Sequence, residues 1–145
     1  MLAYSRVSLK SKVPHSCNVG GTESVGSHVL LDYTNYISPK GDGGARILCI
    51  LRDSVRDSGV REVHSHVESF DGSISPPGFA SVVLIDESHV SAHCYSEKGI
   101  LAVDVFTCGE NDADSLADLI HERLISEIPT LRLVFRERVS RFRSD

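Results

Sequence analysis

The run Ala80-Ser81-Val82-Val83-Leu84-Ile85-Asp86-Glu87-Ser88-His89-Val90-Ser91-Ala92-His93-Cys94-Tyr95-Ser96-Glu97-Lys98-Gly99-Ile100-Leu101-Ala102-Val103-Asp104-Val105-Phe106-Thr107 holds three strand-length segments, 80–86, 89–95 and 100–107. Each is rich in β-branched or aromatic residues, and the links between them are far too short for a crossover helix. Neighbouring strands must therefore run antiparallel. Working outward, Val60 to Phe70 alternates Val63, Ser65, Val67 and Ser69 against His64, His66 and Glu68, which reads as a further strand before the Gly72 to Gly78 turn region. Ile47, Leu48, Leu51 and Val55 recur at helical spacing with Gly59 as the stop, predicting a helix over 45–57. Leu116, Leu119, Ile120 and Leu124 predict a second over 113–126, with Asp112 or Asp114 at its N-terminus and Pro129 ending it. Val29–Tyr33 and Leu131–Phe135 add outer strands. The order β-α-β-β-β-β-α-β gives an α+β two-layer sandwich, a mainly antiparallel sheet with helices on one face.

The chain has 145 residues, 41% of them hydrophobic, and a formal net charge of -5, enough for one compact domain with its own core. The charge is unevenly placed. Residues 1–27 carry Arg6, Lys10 and Lys12 against Glu23, and residues 131–145 carry Arg132, Arg136, Arg138, Arg141 and Arg143 against Glu137 and Asp145. That leaves 7 basic and 17 acidic residues in 28–130, a body that repels nucleic acid and favours small cations. The Ser- and Gly-rich stretch 1–27 shows no hydrophobic period and reads as a flexible arm, with order beginning near His28. Cys17, Cys49, Cys94 and Cys108 sit at no zinc-like or CxxC spacing, with Cys49 expected in a helix core. No apolar stretch approaches the roughly 18 residues of a membrane span. A reduced, cytoplasmic protein that binds neither membrane nor nucleic acid is expected.

Residues 84–109 resemble the processing and active-site region of the prokaryotic S-adenosylmethionine decarboxylase proenzymes. The resemblance rests on Glu87-Ser88-His89, His93 five residues after the serine, Glu97 four after that, and Ala102-Val103-Asp104-Val105-Phe106-Thr107-Cys108-Gly109. A looser match is Gly26-Ser27-His28-Val29-Leu30-Leu31-Asp32-Tyr33, so the likeness covers about 28–125. The resemblance implies a pyruvoyl-dependent decarboxylase that makes its own cofactor. Ser88 attacks the carbonyl of Glu87, and elimination and hydrolysis leave a pyruvoyl group at residue 88. The products are a β chain of 1–87 and an α chain of 88–145. That ketone would form a Schiff base with the substrate amine and act as the electron sink. By the same resemblance Cys108 is the proton donor, His93 the processing residue and Glu97 the ribose ligand, and the assembly is a homodimer of cleaved protomers.

Two positions depart from the family's pattern. Ala80 stands eight residues before Ser88, where the family has a serine, and Ser81 can take its place only if a bulge near Gly78 shifts the strand's faces. Ile74 stands where the family has an aromatic that stacks on adenine, leaving Phe79 and Phe70 as replacement candidates. The family's Trp-Pro-Glu-Tyr stretch is here Tyr95-Ser96-Glu97-Lys98. Ile74, Ser81, Tyr95 and Glu97 are accordingly the expected substrate contacts. The small cationic substrate is S-adenosylmethionine, feeding spermidine synthesis; a basic amino acid, arginine or ornithine, is the alternative. A non-catalytic regulatory homologue is the third reading. His89 and His93 share a strand face but lie about 13 Å apart with no evident third ligand, so no metal is expected. His64 and His66 read as structural or solvent-facing.

Overall fold

A computed structural model of the chain describes residues 24–143. Six strands and two helices follow in the order β1 (Ser24–Thr34), α1 (Gly43–Asp57), β2 (Glu62–Phe70), β3 (Gly78–Ile85), β4 (Ser88–Tyr95), β5 (Ile100–Cys108), α2 (Ala113–Glu127) and β6 (Arg132–Arg143). They form one sheet in the order β2-β3-β4-β5-β1-β6. Every neighbouring pair is antiparallel. This is the predicted two-layer α+β arrangement: β2 to β5 are successive hairpin partners, and β1 enters beside β5.

Asp42 caps α1 by accepting from the backbone N–H of Ala45 at 3.1 Å, and Asp112 caps α2 by accepting from that of Asp114 at 3.0 Å. Ile47, Leu51 and Val55 of α1 and Leu116, Ile120 and Leu124 of α2 are buried against one sheet face. That face contributes Val29, Leu31 and Tyr33 from β1, Phe79, Val83 and Ile85 from β3, Val90, Ala92 and Cys94 from β4, and Leu101, Val103 and Val105 from β5. Removing a side chain such as Leu31 or Leu51 would cost about 2–5 kcal/mol. The opposite face has no helix over it among the described residues. It displays His28, His89, Ser91, His93, Tyr95, Ala102, Asp104, Phe106 and Cys108, the residues alternate to the core positions.

Several expectations change in detail. The arm expected over 1–27 lies outside the described residues up to position 23, whereas Ser24 to Ser27 already belong to β1 because Gly26 and Ser27 pair with Cys108 and Thr107. The last strand runs to Arg143, well past the expected end at Phe135, since β1 offers it a full-length partner from Thr34 back to Ser24. Cys49 is exposed rather than in the helix core, one position off the buried Ile47–Ile50–Leu51 stripe. The β3–β4 register is unbroken from Gly78 opposite Tyr95 to Ile85 opposite Ser88. No bulge therefore turns Ser81 outward: it is buried on the helix side, and Ala80 occupies the position opposite His93. Ser81 thus does not replace the missing serine.

Candidate active site

Ile85 and Ser88 close the β3–β4 hairpin around the two turn residues Asp86 and Glu87. Glu87 has φ +58, one of three non-glycine residues with positive φ among those described, and Asp86 is not one of them. Left-handed backbone at the second turn residue alone is where a type II turn takes glycine, so a glutamate there costs roughly 1–2 kcal/mol. Arg61 braces the turn by donating to Asp86 from its side chain at 2.9 Å and accepting the Asp86 N–H at its carbonyl at 3.3 Å. Hydrogen bonding to that guanidinium holds the Asp86 carboxyl below its ordinary range. The next residue, Ser88, has a hydroxyl oxygen that is buried and has no hydrogen-bond partner. A buried hydroxyl is rarely left so. Here it adjoins the strained peptide bond.

Cys108 ends β5 at the same end of the sheet, on the face opposite to the helices, opposite Gly26. A Cβ on residue 26 would come within 3.3 Å of the Cys108 sulfur and 3.2 Å of Phe106 Cε2, so glycine makes room for both. One row in, Phe106 pairs with His28 on one side and His89 on the other. Their ring centroids lie 5.7 and 5.5 Å from the Phe106 centroid. Arg141 stacks over Phe106 at 5.3 Å and Phe142 packs against it at 5.8 Å. Burial, then the neighbouring His28 and Arg141, push the His89 imidazole below its usual pKa, against an opposing pull from Asp104.

Polar side chains link four strands just beyond that row. Arg141 Nη1 donates to His28 Nδ1 at 3.1 Å, and because arginine only donates, His28 presents its N–H at Nε2. That nitrogen is buried without a hydrogen bond of its own, 3.4 Å from Asp104 Oδ1. Ser91 donates to the other Asp104 oxygen at 3.2 Å. His28, Ser91, Asp104, Arg141 and Phe142 were not assigned roles from sequence. The available signal was polar residues at alternate positions of strands whose other face is apolar, and Asp104 lies inside the quoted signature.

The remaining expected residues lie at the far end of β4. His93 pairs with Ala80 and Ala102, five residues and so about 17 Å along the strand from Ser88. A cavity of about 340 Å³ lies there, lined by Asp32, His93, Tyr95, Ile100, Ala102 and Val134 among others. Tyr95 is half exposed with the Lys98 ammonium 5.4 Å from its ring centroid, and Glu97 lies in the 3-10 turn Ser96–Lys98. Ile74 is 97% exposed in the β2–β3 connection. Phe79 is buried against Tyr36 and so is no substitute stacking surface, whereas Phe70 is partly exposed at the end of β2. Within one chain the expected residues thus fall at two ends of β4: Ser88 and Cys108 at one, on opposite faces of the sheet by the register, and His93, Tyr95 and Glu97 at the other. Cys94 faces the helices, and burial raises its thiol pKa to about 11. No group of three or more His, Cys, Asp or Glu side chains among the described residues is placed to hold a metal ion. No described helix is long and apolar enough to cross a membrane.

An α+β sandwich whose central hairpin strains a Glu-Ser bond, with a cysteine at the same end of the sheet, defines a narrow class of protein, and comparison with known proteins names it. A family model described as S-adenosylmethionine decarboxylase matches residues 27–137. The chain belongs to the S-adenosylmethionine decarboxylase family. It is similar to the S-adenosylmethionine decarboxylase proenzyme of Sulfurihydrogenibium sp. (strain YO3AOP1), with 32% identity over 60% of this chain and 62% of that protein. The proenzyme of Prochlorococcus marinus (strain MIT 9211) is 31% identical over 78% of this chain and 90% of that protein. The aligned part therefore spans about three fifths of the first of these relatives and nearly all of the second. The crystal structure of the adenosylmethionine decarboxylase from Aquifex aeolicus VF5 superposes with a TM-score of 0.66 at 26% identity, covering 85% of this chain and 95% of that one.

Proposed function

We propose that the chain is a self-processing decarboxylase of S-adenosylmethionine acting in the cytoplasm, its product supplying spermidine synthesis. The observation that carries the reading is the Glu87–Ser88 bond: a left-handed glutamate followed by a buried serine oxygen with no partner. Strain raises the ground state of that peptide, and an unsolvated hydroxyl is ready to attack. The Ser88 oxygen adds to the Glu87 carbonyl carbon, the C–N bond breaks, and the serine nitrogen takes the proton, giving an ester. Loss of the Ser88 α-proton expels the Glu87 carboxylate from Cβ. Water then replaces the nitrogen, which leaves as ammonia, so a ketone caps the chain 88–145 and the chain 1–87 ends in Glu87. When formed, that pyruvoyl group supplies an electron sink for the bonding pair released as carbon dioxide leaves.

The other residues act around that terminus. Cys108 holds at Sγ the proton that replaces the lost carboxylate. His93 assists processing, and the Glu97 carboxylate accepts from the ribose hydroxyls. The 17 Å separation of the two groups supports a homodimer of cleaved protomers. A second copy laid antiparallel over the helix-free face brings the His93 end of one chain to the Ser88 end of the other. Leu84, Tyr95, Ile100, Phe135 and Val139, all at least a third exposed, supply apolar surface for such an interface.

Intact-mass measurement of the purified chain tests the reading. Two chains are expected, the α chain lighter than its sequence by one ammonia, and Ser88→Ala is expected to stay whole and inactive. A wild-type chain that remains in one piece sinks it in favour of a regulatory homologue, the reading that Ala80 and the inward turn of Ser81 favour. Carbon dioxide release from S-adenosylmethionine, arginine and ornithine separates the substrates. Turnover of either basic amino acid without turnover of S-adenosylmethionine overturns the substrate assignment while leaving the self-cleavage intact.

A further inference from the structure

A register shift at the start of β2 decides what lies beside the strained turn. His64 pairs with Leu84 and Ser65 with Val83, yet Glu62 pairs with Ile85, so Val63 is an extra residue on its strand. Without that bulge Glu62 would lie level with Asp86, and Arg61 with Glu87. With it, Arg61 falls level with Asp86 and grips it at two points. The Arg61 backbone carbonyl accepts the Asp86 N–H at 3.3 Å. The Arg61 guanidinium reaches both carboxylate oxygens, Nε lying 3.1 Å from Oδ1 and 2.9 Å from Oδ2. The strand end that carries Arg61 is itself tied down: Arg52 of α1 donates from Nε to both oxygens of Glu62, at 2.8 and 3.0 Å. Two ion pairs in succession thus link the helix layer to the residue before Glu87.

What the grip does follows from where the strain lies. Glu87 is held at φ +58, and Asp86 is the neighbour through which the hairpin would rotate to relieve that strain. Strained backbone persists only where its surroundings over-determine it. Asp86, fixed at its N–H and at its carboxylate, swings only by breaking both attachments, so the turn stays in the form that raises the energy of the Glu87–Ser88 peptide. We infer that Arg61 is a positioning residue for self-cleavage: set in place by the Val63 bulge, it keeps the Asp86–Glu87 turn in its strained form for attack by the buried Ser88 hydroxyl. The inference rests on the proposed self-processing and adds to it a group outside the hairpin that sets its rate. Arg61 acts through Asp86 and not on the reacting atoms. Its side chain is 73% exposed and that of Asp86 45%, so solvent screens the pair and its effect is a small factor in rate.

Full-length chain made by cell-free translation, followed by mass as the intact form disappears, tests the inference. Arg61→Ala and Asp86→Asn are each expected to cleave about two- to fivefold more slowly than wild type, the reach of one exposed ion pair. The double variant should be no slower than the slower single one, since the two residues act as a unit. Arg61→Lys should recover part of the rate, keeping the charge without the planar fork. Arg46→Ala breaks a pair with Glu127 at the far end of α1, and should cleave at the wild-type rate. The variant that separates positioning from general stability is Glu87→Gly. Glycine adopts the left-handed turn without being held there, so adding Arg61→Ala to Glu87→Gly should slow cleavage no further. Cleavage of Arg61→Ala at the wild-type rate overturns the inference and leaves self-processing standing. A slowing by Arg61→Ala that keeps its full size in the Glu87→Gly background does the same. A wild-type chain that stays whole overturns both.

Discussion

The two ends of β4 are built on opposite plans. At the Ser88 end the backbone is strained, two polar atoms are buried without partners, and aromatic and charged side chains from three other strands converge on Phe106. At the His93 end Tyr95 stands half exposed and a cavity of about 340 Å³ is lined by His93, Tyr95 and Ile100 among others. The first end stores chemistry inside one chain; the second offers side chains to something laid over them. The proposed homodimer would join the two ends into one site.

The largest effects should come from the first end. Cys108→Ala is expected to leave self-cleavage complete by mass spectrometry while lowering turnover about 10²- to 10⁴-fold, the usual worth of a placed proton donor. Uncleaved protein from that variant would show that the sulfur serves processing instead. The comparison itself is tested by mixing. Ser88→Ala and His93→Ala chains, each inactive alone, should regain about a quarter of wild-type activity when co-assembled, because half the dimers are mixed and each has one site with both intact halves. If both groups belonged to a single-chain site, co-assembly would restore nothing.

A smaller effect separates strain that serves chemistry from strain that does not. Glu87 and Asn35 share φ +58, but only Glu87 precedes the bond to be broken. In the uncleaved Ser88→Ala protein, Glu87→Gly should raise unfolding stability by about 1 kcal/mol, and Asn35→Gly by less, since asparagine tolerates the left-handed region better. With Ser88 present, only Glu87→Gly should slow cleavage, followed as the time course of the intact chain. Equal cleavage rates would remove strain from the account.

The sheet was legible because its signal is local. Short apolar segments joined by two- to four-residue links leave antiparallel pairing as the simplest solution, and the helical stripes at Ile47–Val55 and Leu116–Leu124 have nowhere else to pack. The extent of β6 was not legible, because every residue in it is at least a third exposed and its length comes from pairing with β1 rather than from its own pattern. Cys49 was misplaced because a helical stripe read from four residues leaves its edge uncertain by one position. Ser88, Cys108 and His93 were readable as a motif, but their separation into two groups was not: spacing along a chain does not say that five residues of strand set two side chains 17 Å apart. Asp104 was quoted but given no task, since its partners Ser91, His28 and Arg141 come from three other strands.

The smallest expected effect is a pH dependence set at the Ser88 end. His89 has its pKa lowered below 6.5 chiefly by burial, with the neighbouring His28 and the positive Arg141 adding to the shift and Asp104 pulling the other way. Its unfolded form therefore binds a proton that the folded form refuses between the folded pKa and 6.5. Stability rises with pH wherever the unfolded state holds more protons. The stability due to a neutral His89 is thus complete above about pH 6.5 and is lost as pH falls toward the folded value, the reverse of a histidine that gains an acidic partner. Denaturant unfolding of the uncleaved Ser88→Ala protein between pH 7.5 and 5 should show a shallow decline, and His89→Gln should flatten it. A decline that survives His89→Gln would place the titrating group elsewhere and remove the electrostatic difference between the two ends.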